Sequence, residues 1–494
     1  MSQRVIGLPG YVASVAPRGV EDARRLVSLT PEGATAIEWR LDIAKEPIPP
    51  SALLDLDARP AIMTWRTSRE GGAFGGGAEA YRRRVLEAYA AGATVDVEFS
   101  SGLLSEGAFL PDRRRVVVSA HFPFGLPEDW EARLSAMAAL GARASKLVAG
   151  TADLPASLRV AAIQRRFRSS SVTIFPMGPT SAAGRVLSAL VGGCLVYGAV
   201  ESPTAAGQLL LSDLLEIYRV QEPRKVEALF GVVGADVSES LSPVLHNALF
   251  RARGLPCLYL PLPIADFERC RPQDLEFDPP FRGFSVTRPW KRSAAKSAAP
   301  SEDVRATGAA NTLVLARGGW RAENTDVDGI FDPLADHDTG EGRTAVVLGA
   351  GGVARAAIVA ARRLGYEVFV SSRRDSEADA LAAELRVDSL AWDDVAASEA
   401  DLYVNATPVG SSDSDPPAMP VAALHHRPLV LDTVYRRDGS QTPTIRAARN
   451  AGCPVVEGIQ MFAAQAVRQA RLFGVEDATL EEVTDLLSPG RVVV

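Results

Sequence analysis

Thr344–Arg355 reads TAVVLGAGGVAR, and this stretch decides the fold of the second half of the chain. A short β-branched run, Ala345 to Leu348, stops at a glycine, and the alanine-rich pattern VARAAIVAARRLG continues to Gly365, where a helix can end. The pattern predicts strand, tight turn, helix. Gly349 permits the turn, Gly351 lets backbone N–H groups approach a pyrophosphate, and Ala354 allows close helix packing. Gly349, Ala350, Gly351, Gly352, Val353 and Ala354 thus form a G-x-G-x-x-A loop opening onto a helix N-terminus.

An ordinary strand-to-helix turn can share that spacing, so the next strand carries the decision. The run EVFVSS ends at Ser372 and is followed by Arg373 and Arg374, about where a dinucleotide fold reads the ribose 2′ position. An acid there would select NAD. Two guanidiniums suit a 2′-phosphate, which the planar fork pairs bidentately, so NADP is the expected cofactor. A solvated basic turn is the alternative, and Asp375 follows directly.

The chain has 494 residues, of which 47% are hydrophobic, enough for two to four packed domains. A net charge of −7 argues against a nucleic-acid surface and for small-molecule partners met at local anion sites. Cys194, Cys257, Cys270 and Cys453 are widely spaced with no C-x-x-C pair, which indicates neither a zinc site nor a disulfide framework. The N-terminal stretch lacks a signal-length apolar core, and the longest apolar run, Val186 to Val200, is too short to span a bilayer. A reducing, cytoplasmic setting is expected, with no membrane partner. Only five of the 53 cationic residues are lysine, so Lys146 and Lys291, both in apolar settings along the chain, stand out as amines able to lose a proton.

Residues 1–222 contain eight short apolar or β-branched runs separated by helix-like segments: GYVASVA, TAIEWRLD, PAIMTWRT, TVDVEFS, RVVVSAHF, ASKLVAG, SVTIFPMG and LVYGAV. That alternation predicts a parallel α/β fold, and eight is the count of a closed (β/α)8 barrel. Polar residues fall late in these runs: Glu38, Arg40, Asp42, Arg66, Asp96, Glu98, His121 and Lys146. A barrel gathers such positions at one mouth. Asp42, Asp96 and Glu98 fit structural ion pairs as well as they fit binding. A lysine amine with a lowered pKa attacks a ketone to form a Schiff base, and His121 is suited to move the protons with Glu70 orienting it.

Here the residues resemble a family. EWRLD, TWRTSREGG, SAH, the strand lysine, MG with an arginine eight residues after the methionine, and AAGQ resemble, in order, type I 3-dehydroquinate dehydratase over most of residues 1–222. The resemblance implies Lys146 as the Schiff-base lysine, His121 as general acid/base and Glu70 as its support. It implies Glu38, Arg40 and Arg66 on substrate hydroxyls, Arg185 on a carboxylate, and Thr204 and Gln208 on a closing loop. Departures are Phe122 and Pro123 after the histidine, Ser181 and Gly184 before Arg185, and Thr204 in place of serine. None removes a reacting group.

The polar stretch QEPRKVE, residues 221–227, is the expected linker. Beyond it come ESLSPVLHNALF, FSVTRPWK, GAANTLV and ENTDVDG. Ser240 and Ser242 precede a helix starting near Pro243, where they suit helix capping and carboxylate binding alike. His246 fits packing, and Lys296 a solvated helix face. With LGAGGVAR, SRR, NATPVG, DTVY, QTP and EGIQMFAAQA these segments resemble shikimate dehydrogenase throughout residues 228–475. The resemblance implies Lys291 and Asp326 as the catalytic pair, with Ser240, Ser242, Thr287, Asn311 and Gln465 on the substrate. Tyr435 and Met461 would border substrate and nicotinamide, and Ser372, Arg373 and Arg374 would take the place of Asn-Arg-Thr. Ser285 stands where the family has asparagine.

The product of the first reaction is the substrate of the second, so the two resemblances together imply a bifunctional enzyme of 3-dehydroquinate, 3-dehydroshikimate and shikimate. The expected division is a barrel at 1–222, a substrate lobe at 228–330, a Rossmann-like NADP lobe at 331–455 and helices at 456–494 returning to the substrate lobe. Two other readings stay open on the residues alone: an NAD-dependent quinate/shikimate dehydrogenase with an idle barrel, and a metabolite sensor that binds without reacting.

Overall fold

The computed structural model describes residues 5–105, 111–168, 170–337 and 340–488. The chain separates into two compact units, Met1–Lys225 with Glu276–Asp278, and Val226–Leu275 with Pro279–Val494.

In the first unit the eight apolar runs are eight parallel strands: β1 Gly10–Val15, β2 Ala36–Arg40, β3 Ala61–Thr64, β4 Thr94–Glu98, β5 Val116–Phe122, β6 Ala144–Gly150, β7 Val172–Met177 and β8 Leu195–Ala199. They read as near-continuous apolar runs because both faces are covered, one by helices and one by the barrel interior. Ladders run from β7 back through β1 and on to β8. The remaining seam carries a Cys194 N–H bond to the Val172 carbonyl at 3.3 Å and one from Thr173 Oγ1 to the Leu195 carbonyl at 2.9 Å. The (β/α)8 barrel is therefore nearly closed. Among the described residues the β4–β5 connection has no α-helix, only 3-10 turns at Phe99–Ser101 and Arg113–Arg115. This departs from the regular alternation expected of the sequence.

Gly184 and Ser181, two of the departures noted above, have packing reasons. A Cβ at Gly184 would collide with Ser157 Oγ and Pro176 Cγ, so glycine lets the helix Ala182–Leu190 press against its neighbours and deliver Arg185 to the mouth. Ser181 donates from Oγ to the Gly178 carbonyl at 2.8 Å and ties the turn before that helix.

The second unit holds two sheets. One is mixed, in the order β10-β9-β11-β13-β14-β12, from β9 Ala228–Gly234, β10 Cys257–Pro263, β11 Phe281–Val286, β12 Ala299–Pro300, β13 Thr312–Ala316 and β14 Gly319–Glu323. The other is wholly parallel, in the order β17-β16-β15-β18-β19-β20, from β15 Thr344–Leu348, β16 Glu367–Ser371, β17 Asp388–Ser389, β18 Leu402–Asn405, β19 Leu429–Asp432 and β20 Val455–Val456. Strand order reverses between β15 and β18, which leaves a crevice at their C-terminal ends. The helix Gly458–Leu472 joins the two layers, with Met461 in the core of the parallel sheet and Phe462, Ala466 and Ala470 in the core of the mixed one. Gly329 of the helix Thr325–Ala335 allows that approach, since a Cβ there would lie 2.7 Å from Gln465 Cβ. No helix among the described residues is long and apolar enough to cross a membrane.

Candidate active sites

Strand periodicity explains how the barrel mouth assembles. Glu98, Ser119, Lys146 and Thr173 are paired across β4 to β7 and share one face, so their side chains enter the interior together. A cavity of about 670 Å³ lies above them, lined by Ser14, Glu38, Arg40, Arg66, Glu70, His121, Lys146, Arg185, Thr204 and Gln208 among others. Every site residue expected of the barrel lines this one cavity.

Lys146 does not sit among the apolar groups that flank it in sequence. Alternation sends Leu147 to an outer core, while the ammonium points inward, 2.6 Å from Asp96 Oδ2 and 3.6 Å from Glu38 Oε1, over the Tyr197 ring at 4.6 Å. Its surroundings are carboxylates, which corrects the apolar setting read along the chain. Glu38 in turn accepts from Ser14 Oγ at 2.6 Å and Thr64 Oγ1 at 3.0 Å.

Glu70 Oε2 receives the His121 backbone N–H at 3.0 Å and lies 3.1 Å from His121 Nδ1, while Oε1 accepts from Ser100 at 2.8 Å. The ring is thus oriented through Nδ1, and Nε2 is the nitrogen left for a bound molecule. Burial holds the His121 pKa well below its ordinary value, helped by the positive charges of Arg66, Lys146, Arg40 and Arg185. A neutral imidazole is the form that accepts a proton. Burial also raises Glu70 to about 7, against the pull of Arg66.

Arg66 is spent on structure as much as on any ligand: it donates to Glu70 at 3.2 Å, Glu98 at 3.1 Å, Ser119 at 2.9 Å and Asp96 at 2.8 Å. Burial resists ionisation of Asp96, but Arg66 and Lys146 outweigh it and hold the carboxyl below the ordinary aspartate range. Arg40 grips Asp42 with two bonds of 2.9 Å and reaches the Thr204 carbonyl at 3.1 Å. Thr204 is held by Gln208 Oε1 at 2.7 Å and 2.9 Å. Arg185 differs from the other two arginines. It lies over Phe175 at 4.9 Å, its Nε has no hydrogen-bond partner, and no ion pair involves it among the described residues. Burial lowers its pKa to about 10, with Glu38 opposing. Pro123 and the fully exposed Phe124 rim the same cavity, in the segment that departs from the family pattern.

In the second unit, Lys291 Nζ donates to Asp326 Oδ2 at 2.6 Å, and Asp326 Oδ1 accepts from Asn311 Nδ2 at 2.9 Å. Asn311 is 3.4 Å from Gln465 Oε1, and Thr325 donates to the same oxygen at 3.2 Å. Ser240 Oγ accepts the Ser242 N–H at 3.3 Å at the start of the helix Ser242–Ala252. Thr287 packs beside Gly234 at the end of β9, and Tyr435 lies against Phe462 with ring centroids 4.9 Å apart. Sequence reasoning missed the relay behind these groups: Tyr259 donates to Ser285 at 2.6 Å, Ser285 to Gln469 at 2.8 Å, and Gln469 to Thr312 at 2.8 Å. His246 is fully buried and stacks on Tyr259 at 4.6 Å, a packing role.

The glycine loop has the shape a dinucleotide needs. Gly349 has φ +113° and donates to the Ser371 carbonyl at 2.8 Å, so the loop turns beside Ser372. A Cβ on Gly351 would meet nothing within 4 Å, which leaves open space before the helix Gly352–Arg363. A Cβ on Gly352 would lie 3.0 Å from Lys291, so this glycine lets the loop approach that lysine closely. Ala354 is fully buried in the helix packing. Met461 is buried at the same layer junction. Arg374 pairs with Glu377 at 2.9 Å, while Arg373 is exposed and without an ion pair among the described residues. These residues fit NADP. Arg355, unforeseen from the sequence, is buried and spans from this helix to the Thr307 carbonyl at 3.0 Å and Glu384 Oε1 at 2.7 Å.

Comparison with known proteins gives two family matches, type I 3-dehydroquinase over residues 11–225 and the shikimate dehydrogenase substrate binding domain over residues 232–313. The chain is 34% identical over 259 residues to the NADP(+) shikimate dehydrogenase of Maridesulfovibrio salexigens, covering 50% of this chain and 92% of that protein. It is 38% identical over 252 residues to the corresponding protein of Syntrophobacter fumaroxidans, covering 49% and 85%. The bifunctional 3-dehydroquinate dehydratase/shikimate dehydrogenase of Arabidopsis thaliana, a chloroplastic protein, is 28% identical over 474 residues, covering 89% of this chain and 78% of its own. The two halves of this chain belong, in order, to the type I 3-dehydroquinase and shikimate dehydrogenase families.

Proposed function

We propose that the chain dehydrates 3-dehydroquinate to 3-dehydroshikimate at the barrel mouth and reduces 3-dehydroshikimate to shikimate with NADPH in the second unit. The observation that carries the reading is the meeting, in one cavity, of a lysine amine, a neutral imidazole and a buried guanidinium that forms no ion pair among the described residues.

In the barrel, Arg185 takes the substrate carboxylate and Glu38, Arg40 and Arg66 the ring hydroxyls. Lys146 condenses with the ketone, and the resulting iminium draws electrons from the adjacent carbon. His121, held by Glu70, removes the proton from that carbon and returns one to the departing hydroxyl. Thr204 and Gln208 cover the cavity.

In the second unit, Ser240, Ser242, Thr287 and Tyr435 hold the carboxylate end, and Asn311, Gln465 and Asp326 hold the ring hydroxyls. Bound NADPH would supply the hydride, and Gly349–Ala354 would hold its pyrophosphate, Ser372, Arg373 and Arg374 its 2′-phosphate, and Met461 would border its nicotinamide. Lys291, held by Asp326 at 2.6 Å, donates the proton to the developing alkoxide. We assign 1–222 to the dehydratase, 228–330 and 456–494 to the substrate lobe, and 331–455 to the cofactor lobe. Cys194, Cys257 and Cys453 are free thiols, as suits the cytoplasm.

Treatment with 3-dehydroquinate and borohydride should leave one secondary-amine adduct, on the peptide containing Lys146. Lys146→Ala should lose both adduct and dehydration and keep dehydrogenase turnover. Dehydration that survives borohydride in the presence of substrate, with no added mass at Lys146, refutes the Schiff-base assignment.

A further inference from the structure

Asp96 has no role in the mechanism above, yet it is the group nearest the reacting nitrogen. Its Oδ2 lies 2.6 Å from Lys146 Nζ, against 3.6 Å for Glu38. The other oxygen, Oδ1, is fixed by Arg66 Nη2 at 2.8 Å and Ser119 Oγ at 2.6 Å. Asp96 is 1% exposed and Lys146 3%. A buried ion pair is weak evidence for stability, because desolvation offsets most of its attraction. A carboxylate clamped by two donors and aimed at one amine is better explained by what happens at that amine.

Resting on the Schiff-base reading, we propose that Asp96 is the counter-ion of the substrate iminium, keeping the nitrogen protonated through the elimination. Condensation of the ammonium with the ketone forms a C=N bond and releases one water, which carries off the ketone oxygen and two of the three Nζ protons. The third proton stays on nitrogen, so the single positive charge is conserved. It remains within reach of Asp96 Oδ2. The electron sink needs that charge, because a neutral imine withdraws electrons poorly. Asp96 does not take the proton, since Arg66 and Lys146 hold it ionised.

The other charges facing this nitrogen cannot substitute. Glu38 from β2 is farther and bonded to Ser14 and Thr64. Glu98 from β4 is engaged by Arg66 and Thr67, and Glu70 by His121, Arg66 and Ser100. Tyr197 from β8 offers its ring face, and burial keeps its phenol protonated. Arg66, Arg40 and Arg185 are cations that would expel the iminium proton.

The experiment uses the full chain and Asp96→Asn. Borohydride trapping by 3-dehydroquinate is followed by intact mass across pH, beside steady-state dehydration and far-UV circular dichroism. Removing the carboxylate lowers the iminium pKa, so the alkaline limit of both trapping and turnover should move at least about one pH unit lower. Turnover in dehydration should slow about 100-fold, the scale of losing one preorganised electrostatic group, with KM changed far less. If Asp96→Asn does not fold, Ser119→Ala, which loosens Oδ1, should move the limit in the same direction by less. A substituted protein that folds and keeps the alkaline limit and turnover of the unsubstituted chain overturns the proposal. An unsubstituted chain that yields no adduct refutes the Schiff-base reading beneath it, a failure distinguishable from the first.

Discussion

Arg373→Ala separates the two arginines that the sequence offered as equals. Arg374 is tied to Glu377 at 2.9 Å, in the first turn of the next helix, whereas Arg373 has no ion pair among the described residues and lies two residues after the end of β16. Arg373 is therefore the guanidinium free to close on a 2′-phosphate. A hydrogen bond to a charged group contributes about 1.5 to 3 kcal/mol, and solvent at this exposed position places the value near the lower end. About 1.5 kcal/mol is roughly a tenfold rise in the KM for NADPH. NADH lacks the phosphate, so its KM should stay within about twofold. Arg374→Ala should cost NADPH less than about threefold, because Glu377 already neutralises that side chain. Raising salt should narrow the difference between unsubstituted chain and Arg373→Ala, since an exposed pair is screened. Reduction of 3-dehydroshikimate at varied NADPH and NADH measures all four quantities. Equal effects of Arg373→Ala on both cofactors, or a larger effect from Arg374→Ala, would refute the assignment.

Lys291→Ala should slow the reduction of 3-dehydroshikimate at saturating substrate by about 100-fold or more, the range of a lost general acid, while dehydration is unchanged. Gly351→Val should leave the melting curve of the cofactor-free protein in place, because a side chain there meets open space at a φ of −83° that any residue adopts. The same change should raise the NADPH KM at least about tenfold by filling the loop; unaltered binding would count against a pyrophosphate there. Glu70→Gln tests the buried acid. A carboxyl raised from 4.5 to about 7 in the folded state contributes stability that is fully present below about pH 4.5 and lost as pH rises through about 7. Across that window the unsubstituted protein should lose up to about 3 kcal/mol relative to Glu70→Gln in denaturant titrations. A difference that does not vary with pH would show that Glu70 ionises at its ordinary value.

The chain by itself determined the barrel, the dinucleotide loop and the identity of the residues gathered at the barrel mouth. Strands buried on both faces must be continuous apolar runs, and eight such runs precede the linker. A backbone that turns at φ +113° and then leaves room for phosphate needs glycine at Gly349 and Gly351, so that loop was legible as well. The β4–β5 connection was not: its described residues form short turns, which carry no periodic signal, where the regular alternation elsewhere led to the expectation of a helix. Nor was the allotment of the acids. Asp42, Asp96 and Glu98 all fall late in a strand and read alike, yet Asp42 is held by Arg40, Glu98 by Arg66 and Thr67, and Asp96 by Arg66, Ser119 and Lys146. Strand period tells which residues share a face. Which of them meet across the interior depends on the stagger and tilt with which the barrel closes, a property of all eight strands together. For the same reason the lysine that looked apolar beside Leu147 is found between two carboxylates: Leu147 points to an outer core, and only closure of the sheet brings Asp96 and Glu38 to the amine.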